Sequence, residues 1–418
     1  MHCRAKKCAA LAAAFLCFPA AGQNDPLADL LHRRGYDRNA ILRQFPPDPP
    51  PGEIAPPGDS GETGAANNSG DSGVAGDSGN NAAAAPEFLP LRPRLPAAAA
   101  DDIALVLPTL ADGIAGQAAR NFYRGCLHST DAEGGGAEIS LYAFDGAAAA
   151  AVRNYAAAVE RGATVVVGPM LKRNVRALLA GYPRTPSRTL LLQPGGGEGY
   201  FVMTLDAARE AADLARLLYE RFGGAALIVE QPGARGERLR TAFERRWTAA
   251  GGALPARFRV RDGERDWARL FEMLKEEKEE EDDKAAVIFA AGDAAFAGKT
   301  RNFAPQQHPV FAVSTANDGA QADAALLLEN LGFMEMPWFV GLDESLAVLD
   351  SPSARALPFL RQRFFALGAD ACRAARRAPG WREGWILRGL AGDWRLHDGV
   401  FVRAGRLSVY RAGRLRPL

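Results

Sequence analysis

The sequence carries almost no net charge, because 50 lysines and arginines are balanced by 49 aspartates and glutamates. Domains that bind nucleic acid usually show a strong basic excess on one face, so the balance argues against nucleic acid as a partner. Long apolar runs are missing as well. Beyond the first 22 residues, no stretch reaches the roughly 18 apolar residues that a membrane-spanning helix needs.

The first 22 residues have the pattern of a cleavable secretory signal. A basic start, Arg4 to Lys7, precedes an apolar run from Cys8 to Phe18, and the small residues Ala20 and Gly22 favour cleavage before Gln23. The apolar run is too short to span a bilayer. The pattern therefore predicts an exported, periplasmic protein.

A lipoprotein is the alternative interpretation of this leader. Cys17 would then be lipidated and would hold the protein at the periphery of the outer membrane. Leu16 stands where lipoprotein processing requires a small residue, which favours the cleavable signal.

Cysteine and histidine are both scarce, with five of each in the chain. Removal of the leader leaves only Cys126 and Cys372, so a cysteine-rich zinc site is not available and no metal is expected. In an oxidising compartment the two cysteines are candidates for a disulfide, and two buried thiols are the alternative.

Residues 23–100 form a low-complexity segment rich in Pro, Gly, Ser, Asn, Asp and Ala. Such a composition buries too little apolar surface to offset its ordering entropy, so we predict a mostly disordered linker. Seven acids and no base lie between Arg43 and Arg92, and their repulsion keeps the linker extended.

From about Asp101 onward, apolar strand-like runs alternate with helical patterns. The runs are IALVLP, ISLYAF, TVVVGP, TLLLQP, AALIVEQP, ARFRV, AAVIFAAG and HPVFAVS. This alternation is typical of parallel sheets covered by helices on both faces. Because so many strands exceed one ordinary sheet, we predict an α/β fold of two doubly wound parallel-sheet lobes. The first comprises about 101–202 plus part of 315–418, and the second about 203–314 plus the rest.

The C-terminal tail has a different pattern. Its period-two stretches are broken at His397-Asp398-Gly399 and again at Ala404-Gly405, which predicts two hairpin turns. From Arg373 onward there are eleven arginines against three acids. That excess would suit an anionic glycan, lipid headgroups or an acidic partner, or else an ordinary exposed ribbon.

The usual hydrolase signatures and the phosphate-binding loop are absent from the sequence. Gly195-Gly196-Gly197 is followed by neither Lys-Ser nor Lys-Thr, so it is interpreted as a plain loop. No catalytic residue, no cofactor and no enzymatic activity are expected.

Binding is better supported than catalysis. In doubly wound folds, ligands bind beyond the carboxyl ends of the strands, where loops enter helices. Three such loops run from 108 to 116, from 168 to 174 and from 314 to 318. They predict a ligand or partner cleft lined by Thr109, Gly116, Lys172, Asn174, Ser314, Thr315 and Asn317. Alternatively, these residues only cap their helices.

Four blocks in order, spread over nearly all of 101–418, resemble a known family. They are IALVLPTLADGIAGQAARNFYRG, VERGATVVVGPMLKRNV, LGFMEMPWFV and RFFALGADACRAA. They are similar to the C-terminal domain of the penicillin-binding protein activators of the LpoA (LppC) type. VGPMLK and FMEMPW are fairly specific, whereas the first block is shared with type I periplasmic binding proteins.

The resemblance implies a type I periplasmic-binding-protein fold and a noncatalytic role. It also implies a partner, a bifunctional penicillin-binding protein whose peptidoglycan cross-linking the domain stimulates. Members usually carry an N-terminal helical-repeat domain, where this sequence has the leader and the low-complexity segment, and they are lipoproteins, whereas this leader lacks a good lipidation site. The alternative function is a periplasmic receptor for a small polar solute, an amino acid or a small peptide.

Overall fold

The computed structural model describes residues 103–135, 138–261, 263–276, 287–317 and 328–418. The expected signal peptide (1–22), the linker (23–100) and Cys17 lie outside the described residues. The same holds for Asp101 and for residues 277–286.

A first sheet is built mainly by the N-terminal half of the described chain. Its strands are β1 (Ile103–Leu107), β2 (Ile139–Ala143), β3 (Val165–Val167), β4 (Arg184–Leu191) and β5 (Glu198–Met203). The helices between them are α1 (Gly113–Ala132), α2 (Ala148–Glu160) and α3 (Lys172–Gly181). Three later strands complete it: β11 (Ile386–Arg388), β12 (Asp393–His397) and β13 (Val400–Ala404). The strand order is β11-β12-β13-β5-β4-β3-β1-β2, with antiparallel pairing only among β11, β12 and β13.

The second sheet is built in the same way, from parallel strands with helices between them and a few antiparallel strands added at one end. It contains β6 (Ala226–Glu230), β7 (Ala256–Arg259), β8 (Val287–Ala291), β9 (Val310–Val313) and β10 (Leu331–Glu335), then β14 (Arg406–Arg411) and β15 (Arg414–Pro417). Its helices are α4 (Ala207–Phe222), α5 (Ala234–Ala249), α6 (Gly263–Glu276) and α7 (Ala294–Phe303). The order is β15-β14-β10-β9-β8-β6-β7, antiparallel only at β10, β14 and β15. Fully buried apolar strands such as β1, β6, β8 and β9 are covered on both faces, as the sequence predicts.

We propose that each sheet, with the helices packed on it, forms one lobe. The chain passes between the sheets three times: from β5 into α4, after β10, and from β13 into β14. The middle passage contains α8 (Pro337–Val340) and α9 (Pro352–Arg355), and ends in α10 (Phe359–Arg376), which packs along α1. The expected α/β fold of two mainly parallel sheets is confirmed.

The tail forms three hairpins, β11–β12, β12–β13 and β14–β15, and one of the two predicted turns is not among them. The turn between β12 and β13 lies at Asp398 and Gly399, which have φ of 47° and 72°, as the sequence predicts. The turn predicted at Ala404-Gly405 is wrong. There the chain crosses from the first sheet to the second, and a Cβ on Gly405 would lie 2.7 Å from Met334 Cγ. The β14–β15 hairpin turns later, at Ala412 and Gly413.

Helices α1 and α10 approach each other closely at two glycines. A Cβ on Gly125 would lie 1.9 Å from the Phe365 carbonyl oxygen, and one on Gly368 would lie 1.9 Å from the Phe122 carbonyl oxygen. Cys126 and Cys372 form a disulfide across the same contact, with 5.2 Å between their Cα atoms. The two helices are therefore in backbone contact and covalently joined.

We expect Gly125→Ala to lower the free energy of unfolding by at least about 2 kcal/mol, because the added methyl group must push the two helices apart. Urea denaturation of the purified chain measures the effect. Gly196→Ala is a matched control, since a Cβ there meets nothing within 4 Å. Equal stability of the two variants would contradict this account of the helix contact.

Candidate functional site

The first two predicted loops follow the adjacent strands β1 and β3 at one edge of the first sheet. Thr109 is fully buried, and its Oγ1 has no hydrogen-bond partner. Its carbonyl oxygen accepts from Arg120 Nη1 at 2.8 Å. Gly116 acts through packing, because a Cβ there would lie 1.7 Å from the Ala111 carbonyl oxygen.

Of the two predicted residues in the second loop, one is buried and one is exposed to solvent. Asn174 is fully buried at the start of α3, and neither its Nδ2 nor its Oδ1 has a hydrogen-bond partner. Lys172 is exposed. Buried polar groups without hydrogen-bond partners are rare and unfavourable. Thr109 and Asn174 are the predicted residues whose buried polar side-chain atoms have no such partner.

The third loop, after β9, is bound to other parts of the protein. Ser314 donates from its backbone N and from Oγ to the Glu210 carboxylate, the latter at 2.7 Å. Asn317 Nδ2 donates to Glu335 Oε2 at 2.8 Å. Thr315 is exposed, and its Oγ1 accepts from Arg235 Nη2 at 2.7 Å. The loop therefore does not present free polar groups in the way the sequence-based hypothesis required.

Two buried ion pairs lie where the chain passes between the sheets. Arg363, on α10, holds both carboxylate oxygens of Glu335 with Nη1 and Nη2, at 2.8 and 2.7 Å. Arg403, near the end of β13, contacts Glu210 of α4. All four side chains are less than 10% exposed. We call Glu210, Glu335, Arg363 and Arg403, with Ser314 and Asn317, the hinge network.

The hinge network joins all three passages between the sheets. Arg363 Nη2 also donates to the carbonyl oxygens of Ser314 and Asn317, at 2.7 and 3.1 Å. Burial raises the pKa of Glu210, while Arg403 and the two donors of Ser314 oppose that rise. Because breaking one partner of such a network leaves a buried charge, the network resists separation of the sheets.

A cavity of about 160 Å³ lies beside the hinge network and is lined by Glu210, Arg403, Arg209, Asp213 and Thr204, among others. Asp213 Oδ2 is buried without a hydrogen-bond partner, and burial raises the pKa of this side chain. None of the seven residues predicted from sequence lines this cavity.

Sequence reasoning found Ser314 and Asn317 but missed the four charged members of the hinge network, although one signal was present. Glu335 is a single acid inside the apolar run LGFMEMPWFV, and it is completely buried. Buried carboxylates are almost always paired with a cation, so the position of Glu335 predicts a cationic partner. Arg363, which opens the block RFFALGADACRAA, is that partner.

Asp370 is a third buried acid, on α10. It accepts from the backbone N of Leu390 and Ala391 and from Trp394 Nε1, at 2.7, 2.8 and 2.8 Å. Burial raises its pKa to about 6, although the hydrogen bond from Trp394 and the charge of Arg373 oppose this. The residue ties α10 to the loop before β12, where Gly389 leaves room for the carboxylate.

The raised pKa predicts how stability depends on pH. The folded state prefers protonated Asp370, so its contribution is fully present below the unfolded pKa of about 3.8 and is lost as pH rises through about 6. The free energy of unfolding of wild type, minus that of Asp370→Asn, should therefore fall by about 3 kcal/mol across this window. Urea denaturation at intervals from pH 4 to 7.5 measures it. A difference that is flat, or that rises with pH, would contradict the assignment.

One group of described residues could approach a metal ion, namely Glu383, His397 and Asp398. All three are exposed. Glu383 accepts from Asp398 N at 3.0 Å and lies 2.5 Å from His397 Nδ1, so it stabilises the hairpin turn. These contacts account for the cluster.

The two mainly parallel sheets and the three passages between them define an α/β protein with the fold of periplasmic binding proteins. A solved structure described as a "putative branched-chain amino acid ABC transporter" from Chromobacterium violaceum is 26% identical, with a TM-score of 0.63. The match covers 74% of this chain and 99% of that one. No helix in the described part of the chain is long and apolar enough to cross a membrane.

The model of the family described as "LppC putative lipoprotein" matches residues 94–401, and the chain belongs to that family. A curated relative, the penicillin-binding protein activator LpoA of Klebsiella pneumoniae, is 28% identical over 301 residues. The match covers 63% of this chain and 42% of that protein, so the chain spans less than half of the relative's length.

A solved structure of the LpoA (YraM) C-domain from Haemophilus influenzae, described as a regulator of PBP1A, shares the fold. Its TM-score is 0.60 at 19% identity, and the match covers 76% of this chain and 99% of that one. The resemblance seen in the sequence blocks is thereby confirmed.

Proposed function

We propose that this chain is a noncatalytic periplasmic regulator that binds and stimulates a peptidoglycan synthase of the bifunctional penicillin-binding protein class. Family membership supports the proposal, and so do the relatives named as penicillin-binding protein activators. The exported leader expected from the sequence supports a periplasmic location.

The observation that carries the proposal is the state of the third loop. In a solute receptor, polar groups from both sheets must be free to meet the ligand. Here Ser314 and Asn317 are taken up by Glu210 and Glu335. A protein whose candidate ligand groups serve its own hinge is better suited to act through its outer surface.

A reconstituted assay tests the proposed function. The purified full chain is added to a bifunctional penicillin-binding protein of the same organism, and cross-linked product is measured with and without it. We expect faster cross-linking, together with direct binding in surface plasmon resonance. Unchanged product and no binding across all bifunctional synthases of that organism would overturn the proposal.

A solute receptor is the second candidate, and one observation favours it. Thr109 Oγ1 and both amide atoms of Asn174 are buried without partners at the edge where receptors bind ligands. A ligand present at about 100 times its dissociation constant would add about 2.7 kcal/mol to the stability. Thermal unfolding with a panel of amino acids and muropeptides tests this. A flat response would remove the candidate.

A further inference from the structure

Three arginines share one face of the outermost ribbon of the second sheet. In the antiparallel pair β14–β15, Arg411 lies opposite Arg414, and Val409 lies opposite Arg416. Opposed residues point to the same face, and so do residues two apart along a strand. Arg411, Arg414 and Arg416 therefore project together, and we call them the arginine face.

No acid neutralises the arginine face within the described residues. None of its three guanidinium groups lies within ion-pair distance of a carboxylate there, and all three residues are exposed. Like charges directly opposite each other destabilise a strand pair. The hairpin thus places Arg411 opposite Arg414 without a described ion pair to offset their repulsion, and such local costs are often found at functional surfaces.

A cavity of about 510 Å³ opens on the same face, lined in part by Val409 and Arg411. It also contains Arg301, which is 7% exposed and has no carboxylate partner among the described residues. In the described part of the chain, the Arg301 guanidinium donates hydrogen bonds to three carbonyl oxygens, those of Ala304, Pro305 and His308. Burial without a counterion lowers the pKa of Arg301.

The lining of the cavity includes two aromatic side chains and one acid. Phe222 and Phe311 supply aromatic rings with centroids 5.8 Å apart, and Gly332 contributes no side chain. The acid is Glu329, whose Oε1 accepts from Ala412 N at 3.0 Å and so holds the hairpin turn. The cavity thus combines aromatic side chains with cationic and amide side chains.

We propose that the arginine face and this cavity form the docking surface for an acidic, extended segment of a partner protein, with one apolar side chain entering the cavity. The guanidinium group of arginine binds a carboxylate through two parallel hydrogen bonds. Several neighbouring arginines therefore suit a segment that carries several acidic residues. Among the described strands β15 is the outermost of its sheet, so its outer edge can pair with an added strand. The inference rests on the proposed function and assigns to it the contact with the synthase.

Fluorescence anisotropy tests the surface without the synthase. The probe is a labelled peptide in which Glu alternates with Val around a central Leu, and a Gln-for-Glu peptide is its control. Wild type should bind only the acidic peptide, and more weakly as salt is added. The triple variant Arg411→Gln/Arg414→Gln/Arg416→Gln should bind at least about tenfold more weakly.

A matched triple variant, Arg176→Gln/Arg238→Gln/Arg395→Gln, removes the same charge from exposed positions elsewhere and should bind like wild type. Equal peptide affinity of all three proteins would overturn the proposal, and the arginines would then serve only to keep the strand edge from aggregating. A second outcome would overturn the proposal in favour of a membrane surface. In that outcome the peptide binds none of the proteins, and phosphatidylglycerol vesicles bind wild type but not the first triple variant.

The synthase assay separates this proposal from the proposed function. If wild type and both triple variants stimulate cross-linking equally, the function stands and the arginine face is not its contact. Loss of stimulation in the first triple variant alone supports both. If wild type never stimulates, the proposed function fails, and the peptide measurement still decides whether the surface binds acidic segments.

Discussion

Replacing Arg363 with Met should lower the free energy of unfolding by about 3–5 kcal/mol. The substitution leaves Glu335 completely buried with no cation beside it. It also removes the donor for the carbonyl oxygens of Ser314 and Asn317. Much of the loss arises because a buried carboxylate must then be left charged and unpaired or be protonated.

Urea denaturation at pH 7.5 measures the loss, and a double variant shows its origin. Arg363→Met/Glu335→Leu removes both charges and should be less destabilised than Arg363→Met alone. Arg153→Met, an exposed position on α2, is the control and should change stability by less than about 0.5 kcal/mol. Additive losses in the double variant would show that the pair does not act as a unit.

Removing the disulfide should have an effect of similar size. Cys126 and Cys372 are 246 positions apart, so the bond constrains a very long loop of the unfolded chain. Loop-closure entropy for that length corresponds to about 5 kcal/mol, and measured effects usually fall between about 2 and 5 kcal/mol. Cys126→Ala/Cys372→Ala should therefore unfold at a much lower urea concentration than wild type.

A reducing agent provides the internal control for this experiment. Wild type unfolded and refolded with dithiothreitol should lose stability by about the same amount, whereas the double alanine variant should not respond. The small cavities left by two missing sulfur atoms affect only the variant. If reduced and oxidised wild type unfold at the same urea concentration, the bond adds nothing to the native state.

The sequence predicts the architecture well because buried parallel strands leave a strong local signal. Apolar runs such as Ile103–Leu107 and Val287–Ala291 are buried along their whole length and alternate with amphipathic helices. β5 and β10 were not among the predicted strands, since glycines and Glu335 interrupt their apolar pattern. The local sequence at Gly405 has the pattern of a turn. That the chain crosses from the first sheet to the second there is visible only in the tertiary structure.

The candidate site was less predictable for a physical reason. The three predicted loops do follow the strands β1, β3 and β9, because the positions of strands and the loops after them follow from the local pattern. Their chemistry depends on partners far away in sequence: Ser314 on Glu210, and Glu210 on Arg403, 193 positions later. A hydroxyl group that is hydrogen-bonded to a residue distant in sequence has the same local sequence pattern as a hydroxyl group that is free to bind a ligand. Only the tertiary structure separates the two cases.

The disulfide also determines what happens when a protease cuts the chain. Five of the seven strands of the second sheet, β6 to β10, lie between Cys126 and Cys372, and so do four of the eight strands of the first sheet, β2 to β5. A single cut anywhere in that interval leaves two fragments that stay covalently joined. The nicked protein keeps its mass on a non-reducing gel, and its parts separate only after reduction. Exposed loops of this region can thus be cleaved without releasing either fragment.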